Sequence, residues 1–338
     1  MSDTEQPASR LPEIPMDLMQ PAPASTRLPS IPEEFIRPDT RETLLYVLYV
    51  LSQLLLPALG TFLIYKSSLP TAVKIPLIAF TGCLSGHGLF MMGIAAHEGF
   101  HFLLHRNRFV SFCIGIFMSS AIPLFFAVGY FINHWAHHRH TNTNEDPDIH
   151  IVRRYRTLLS RMLLVRLHFN RHYMKTFARV AFVDTASVAR TIGMTEKQLR
   201  LLTRVNLFAQ AAWLSVYAVL AWHSPALLAL LLGVPLAVAL VLASLNPYQE
   251  HLGTSTAQWR QARSRISPFQ TLLMAGVNYH LEHHLYPRVP CWRLPKLHRW
   301  LMEQGHFAGK GSYFEPDYLK SFAVAKLPYG ATDESPVS

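Results

Sequence analysis

Eighteen histidines are present in 338 residues, and eight of them fall in three compact clusters. The first is His97-Glu98-Gly99-Phe100-His101, the second His134-Trp-Ala-His137-His138, and the third His280-Leu-Glu-His283-His284. On a helix, side chains three or four positions apart share a face. Each cluster therefore offers two or three imidazoles to one place. Imidazole suits iron, zinc or copper, whereas magnesium and calcium take oxygen ligands. One His-x-x-His-His could arise by chance; two in one chain, beside a His-x-x-x-His, point to metal chemistry. A ligating imidazole donates its outer N–H to a carboxylate or carbonyl, which fixes its tautomer and its aim. Glu98, Asp146, Asp148, Glu250 and Glu282, with Asn142 and Asn278, lie in or beside the clusters and are the candidates for that supporting role.

The scaffold that must position these clusters is apolar and basic. Half of the residues are hydrophobic and 15% are charged, with a formal net charge of +10; soluble domains carry about 25% charge. Such a chain fits either a nucleic-acid binder or a membrane protein with positive cytoplasmic loops, and long apolar runs select the second. Cys83, Cys113 and Cys291 form no Cys-x-x-Cys pair, which excludes a zinc ribbon, an iron–sulfur pattern and a disulfide framework.

Leu44–Tyr65 and Ile75–Ala96 are each long enough to cross a bilayer, as are Val205–Trp222 and Pro225–Leu245, which flank a turn at His223-Ser224. A further apolar stretch, Phe109–Ile132, is interrupted by Pro123 and Gly129. Between Asn133 and Arg204 the chain is strongly basic, with Arg153, Arg154, Arg156, Arg161, Arg166, Arg171, Lys175 and Arg179. Positive charge beside spans marks the cytoplasmic side, and a partly amphipathic segment lies on the membrane surface. For the first two histidine clusters to meet, Phe109–Ile132 cannot cross once; it must be re-entrant, interfacial or a tight double pass. The expected fold is an all-α integral membrane protein of about four transmembrane helices plus that segment. A cytoplasmic helical cap carries the histidines, and both termini are cytoplasmic.

Residues 1–40 are proline-rich and contain the near-repeat Arg10-Leu-Pro-Glu-Ile-Pro15 and Arg27-Leu-Pro-Ser-Ile-Pro32, which reads as a disordered tail. The membrane domain then covers 41–305, and 306–338 reads as a C-terminal tail. No basic region followed by an apolar core opens the chain, so no cleaved signal peptide is expected.

The clusters and their surroundings resemble the membrane fatty-acid desaturase superfamily, from about Leu44 to His298. Its signature is His-x(3–4)-His followed by two His-x(2–3)-His-His boxes. His137-His138-Arg-His-Thr141-Asn142 with Asp146-Pro147-Asp148 resembles its second box, and Asn278-Tyr-His280-Leu-Glu-His283-His284-Leu-Tyr-Pro287 its third. The resemblance implies two non-haem irons held by His97, His101, His134, His137, His138, His280, His283 and His284. Members often add a ligand between the last two boxes, and Glu250-His251 fits that place. It also implies O2 as co-substrate and a fatty-acyl or acyl-lipid substrate that is desaturated. Hydroxylases or ketolases of carotenoids, sphingolipids or other lipids share similar boxes.

The chain has no Gly-x-Gly-x-x-Gly site and no cysteine cluster, so a separate electron carrier is expected: a ferredoxin, rubredoxin or small cytochrome with its NAD(P)H reductase. The basic Asn133–Arg204 segment offers it a docking face. A histidine-rich metal transporter would instead place ligands within the spans, where only His87 lies deep. His105 and His140 read as flanking residues, and His150, His168, His172, His223, His298 and His306 as unremarkable.

Overall fold

The computed structural model describes residues 28–37, 39–316, 320 and 323–326. After one helical turn, α1 (Glu33–Ile36), two long helices form a hairpin, α2 (Thr40–Lys66) and α3 (Thr71–Phe100). Next come α4 (Arg108–Ser119), α5 (Ala127–His140), α6 (Pro147–Val152), α7 (Leu158–Ala178) and α8 (Thr185–Thr191). The second hairpin pairs α9 (Glu196–His223) with α10 (Pro225–Leu228), which runs on through a π-helical turn into α11 (Val234–His251). Then follow α12 (Pro268–Met274), α13 (His280–Leu285) and α14 (Leu294–Glu303). A two-stranded parallel sheet, β1 (Arg263–Arg265) with β2 (Tyr313–Glu315), is the one sheet among the described residues.

Among the described residues, four helical segments are long and apolar enough to cross a membrane: Thr40–Lys66, Thr71–Phe100, Glu196–His223 and Pro225–His251. Asp39 starts the first by accepting from the Glu42 N–H, and a Thr195–Gln198 capping box starts the third. Only 11% of the most apolar stretch of α2 is buried inside the protein, and Leu44, Leu45, Leu48, Leu55, Leu56 and Leu59 stand exposed on it. An apolar surface of that size is at home in hydrocarbon and not in water. Inside the bundle α3 is clamped between α2 and α11. A Cβ at Gly88 would lie 2.3 Å from the Gln53 carbonyl oxygen, so no other residue allows this approach of α3 to α2.

The interrupted apolar stretch does not span. At twelve residues, α4 is about 18 Å long, against a hydrocarbon core of about 30 Å. The chain turns back through Ser120–Phe126 and returns as α5. Irregular backbone at membrane depth must find partners within the protein, and α9 supplies them. The Gln210 side chain accepts from the Leu124 N–H (3.2 Å) and donates to the Phe125 carbonyl (2.8 Å). Asn206 accepts from Val128 N–H, Trp213 donates to the Phe117 carbonyl, and Tyr217 donates to that of Ala121. Both histidine clusters that flank this stretch thus come out at one end of the bundle.

The basic segment is more structured than a solvated loop. On α7, Arg161, Val165, Phe169, Tyr173 and Phe177 recur every four residues as a buried stripe, while Leu159, Leu163, Leu164 and Leu167 face outward. Arg153, Arg154, Arg156, Arg171 and Lys175 are exposed, but Arg161 is fully buried, donating to the carbonyls of Tyr155 and Ala325 over the Tyr248 ring.

Two parts read as tails are packed. Leu28–Arg37 lies on the third-cluster region: Tyr286 donates to the Pro29 carbonyl, Arg293 to those of Glu34 and Arg37, and Phe35 meets Trp300. The first repeat, Arg10–Pro15, lies outside the described residues. Residues 313–315 close the small sheet, where Arg263 pairs with Glu315 at 2.5 Å in a buried site. Proline density suggested disorder at the N-terminal end; over Leu28–Arg37 specific contacts to the cap outweigh it.

Candidate metal centre

Four separate stretches of chain deliver the histidines. His97 and His101 sit at the end of α3, and His134, His137 and His138 on α5. His251 is the last residue of α11, and α13 carries His280, His283 and His284. All nine converge, in two adjoining groups. The ligand atoms of His97, His101, His134, His138 and His283 lie within 4.8 Å of one another. The second group forms around His251, which shares one such set with His137 and His284 and another with His280 and Glu250. The groups touch where the His138 and His284 ring centroids come within 4.3 Å.

Proton positions show what this arrangement accepts. His251 Nδ1 faces the Gln261 carbonyl at 3.0 Å, so the proton sits there and Nε2 is bare. His137 Nδ1 donates to both Asp146 oxygens (3.0 Å), and His97 Nδ1 to Glu98 (3.1 Å). The Thr141 hydroxyl already donates to the His137 carbonyl, so it accepts from His284 Nδ1 at 3.3 Å. The Nε2 atoms of the cage face one another. Nε2–Nε2 separations are 2.8 Å for His101–His134, 3.0 Å for His134–His138 and His251–His280, and 3.1 Å for His138–His283 and His280–His284. With a metal–nitrogen bond of about 2.1 Å, ligands at right angles lie about 3 Å apart. The spacing is that of a coordination sphere. Where both nitrogens of such a pair are unprotonated, their lone pairs repel unless a cation lies between them.

Electrostatics agrees. Burial, and then the neighbouring imidazoles, hold His101, His134, His138, His280, His283 and His284 well below the ordinary histidine pKa. They are neutral near pH 7, the form that ligates. His137 differs: burial opposes its charge, but the Asp146 carboxylate outweighs this and raises it to about 9. That hydrogen bond also makes His137 a more basic ligand.

The supporting residues divide. Glu98 braces His97 and also accepts from the Cys291 N–H (2.8 Å), tying the first cluster to the third. Asp146 braces His137 and caps α6. Asp148 lies 3.9 Å from His137, and burial lifts its carboxyl to about 7. Glu250 sits 3.5 Å from His280 Nε2, held on its other side by Arg265 at 3.1 Å. The remaining three do not brace a cage imidazole. Asn142, at φ 64°, instead ties the second-cluster loop to the Ser255 and Gln261 carbonyls, and Asn278 donates to the Arg265 carbonyl. Glu282 is buried between Ser264 and His298, the latter at 2.5 Å. His298 and Arg265 are thus structural partners that spacing gave no reason to single out. His87, His105 and His140 lie outside both groups.

Set against known protein families, residues 74–314 match the fatty acid desaturase family. The chain belongs to that family. No curated protein matches it. Membership makes lipid oxidation of the desaturase or hydroxylase type the general chemistry, and agrees with four membrane-spanning helices and a histidine cage.

From the cage of this desaturase-family chain a cavity of about 130 Å³ runs into the bundle between α3, α7 and α11. His97, His134, His137, His251 and His280 border it at one end, and Phe90, Ile94, Ile122, Leu236, Ala239 and Leu240 wall the other.

Proposed function

We propose that this chain is an O2-dependent diiron desaturase acting on a fatty-acyl or acyl-lipid chain. One observation carries the reading: nine imidazoles, in two adjoining groups, turn ring nitrogens toward one another at the end of an apolar cavity. The nine histidines would divide two irons between them, His97, His101, His134, His138 and His283 holding one. His137, His251, His280 and His284 would hold the other, with Glu250 beside them. Two irons there, supplied with O2 and electrons, have the oxidising power to remove hydrogen from an unactivated C–H bond.

The protein's own part is positional. Glu98, Asp146, the Gln261 carbonyl and Thr141 fix tautomers, so that the cage is preorganised. The apolar wall excludes water and lays one methylene of the chain against the ligand sphere. The exposed arginines at the cage end favour a cytoplasmic active site under the positive-inside bias. They would also receive a separate acidic electron carrier. Hydroxylation or ketone formation would use the same cage, and which product forms depends on where the substrate carbon rests.

Metal analysis and product analysis test the proposal together. Purified protein should hold close to two irons per chain, and a host expressing it should accumulate lipids lacking two hydrogens. A gain of oxygen would move the assignment to the hydroxylase reading. Stoichiometric zinc without iron, and no lipid change, would end it.

A further inference from the structure

The cavity is polar at one end in a way that nine histidines do not explain. On α11 the lining stripe is Leu236, Ala239, Leu240 and Ala243 in the span, then Asn246 and Glu250 next to the cage. Leu236 to His251 covers about 22 Å at 1.5 Å per residue. Facing the polar end is α7, whose Arg166, Phe169 and Tyr173 share one side of the helix and all line the cavity. Arg166 is the anomaly. Its guanidinium lies over the Phe125 ring at 5.2 Å and the Tyr173 ring at 5.7 Å. Among the described residues that side chain has no hydrogen-bond acceptor and no ion-pair partner; its backbone N–H alone is bonded, to Ser244.

Of the acids at this end, Glu250 is held by Arg265; Asp148 lies 3.9 Å from His137, one of its oxygens has no hydrogen-bond partner among the described residues, and Arg166 acts on it only through its charge, beyond ion-pair distance. A cation bordering an apolar cavity is costly without a partner, and aromatic faces offset only part of that cost. The ring contacts nonetheless hold the guanidinium in place, which preorganises it for a ligand oxygen. Its neighbours lead straight to the metal cage: Tyr173 packs edge-on to Tyr130 at 5.2 Å, and Tyr130 stacks on His134 at 5.1 Å.

We propose that Arg166 binds the carboxylate of a free fatty acid, whose hydrocarbon tail lies along the apolar stripe of α3 and α11. The acid end, not the methyl end, is then nearest the cage, so oxidation falls within a few carbons of the head. This rests on the reading of the cavity as the substrate's, and it narrows that substrate from acyl lipids at large to a carboxylate lipid oxidised near its polar end.

The test uses the purified, iron-loaded chain in nanodiscs, with palmitate and 1-hexadecanol as probes of equal length. Wild type should bind palmitate at least tenfold more tightly than hexadecanol. Arg166→Leu should erase that preference while leaving hexadecanol affinity and iron content unchanged, and Arg166→Lys should keep part of it. Iron content reports folding, so a misfolded Leu variant is recognised and Arg166→Gln takes its place. Equal affinities in wild type, or a preference that survives in the Leu or Gln variant, overturns the proposal. A chain without iron that still prefers palmitate through Arg166 would count against the diiron reading alone.

Discussion

The cage shows how far a single residue can be read from its neighbours in sequence. Eight histidines were legible because helical spacing puts them on one face, and the structure brings all eight together with His251. Their braces were legible only where brace and ligand are close in sequence, as with Glu98 and His97, or Asp146 and His137. Gln261 and Thr141 act through a backbone carbonyl or across a longer separation, and no local pattern marks them. Two predictions belong at this scale. Asp146→Ala removes the carboxylate that fixes the His137 tautomer, and should lower iron affinity or turnover by about 10- to 100-fold, with the spans intact by circular dichroism. His251→Ala strips a ligand from the four-histidine group alone, so bound iron should fall from two per chain toward one. Iron measured in the purified variants decides both; two irons retained in His251→Ala would remove that residue from the ligand set.

At the scale of elements, the four spans could be read from length and apolarity, because each helix satisfies its own backbone. That Phe109–Ile132 does not cross once was legible too, from the need to bring the first two clusters together; how it turns was not, because the partners come from elsewhere in the chain: the turn between α4 and α5 depends on Asn206, Gln210, Trp213 and Tyr217 of α9. Gln210→Leu would leave the Leu124 N–H and the Phe125 carbonyl unpaired, at about 1–3 kcal/mol each. The expected result is a lower unfolding temperature in detergent and a loss of iron, since this turn sets where α5 presents the second cluster. Leu214→Ala, on the exposed face of α9, is the control and should change stability by about 0.5 kcal/mol or less. Gly129 is a second such joint. A Cβ there would fall 1.9 Å from the Tyr173 carbonyl oxygen, so Gly129→Ala must push α5 off α7. The cost should be about 1–3 kcal/mol, read as a lower unfolding temperature and weaker iron retention.

The whole molecule divides into a lipid-embedded bundle and a cap whose segments meet at the cage. The bundle has its own source of stability: the outward face of α2 is solvated by hydrocarbon, and α3 is locked to its neighbours. The cap has less. The ends of α3 and α11, the helices α5 and α13, and the loops between them converge on imidazoles whose Nε2 atoms face one another. A metal bound at a thousand times its dissociation constant stabilises a fold by about 4 kcal/mol, and on the diiron proposal that energy would act where the segments join. Removing iron with a chelator should therefore loosen the molecule unevenly. Hydrogen exchange should accelerate at residues 97–101, 134–142, 251–261 and 280–285 and stay slow through the middle of α2 and α11. Uniform loss of protection would mean that the cap and bundle unfold as one unit, and no change at all would mean that the cage does not hold the cap together. Restoring iron, but not calcium, should reverse the loosening, because the donors are nitrogens.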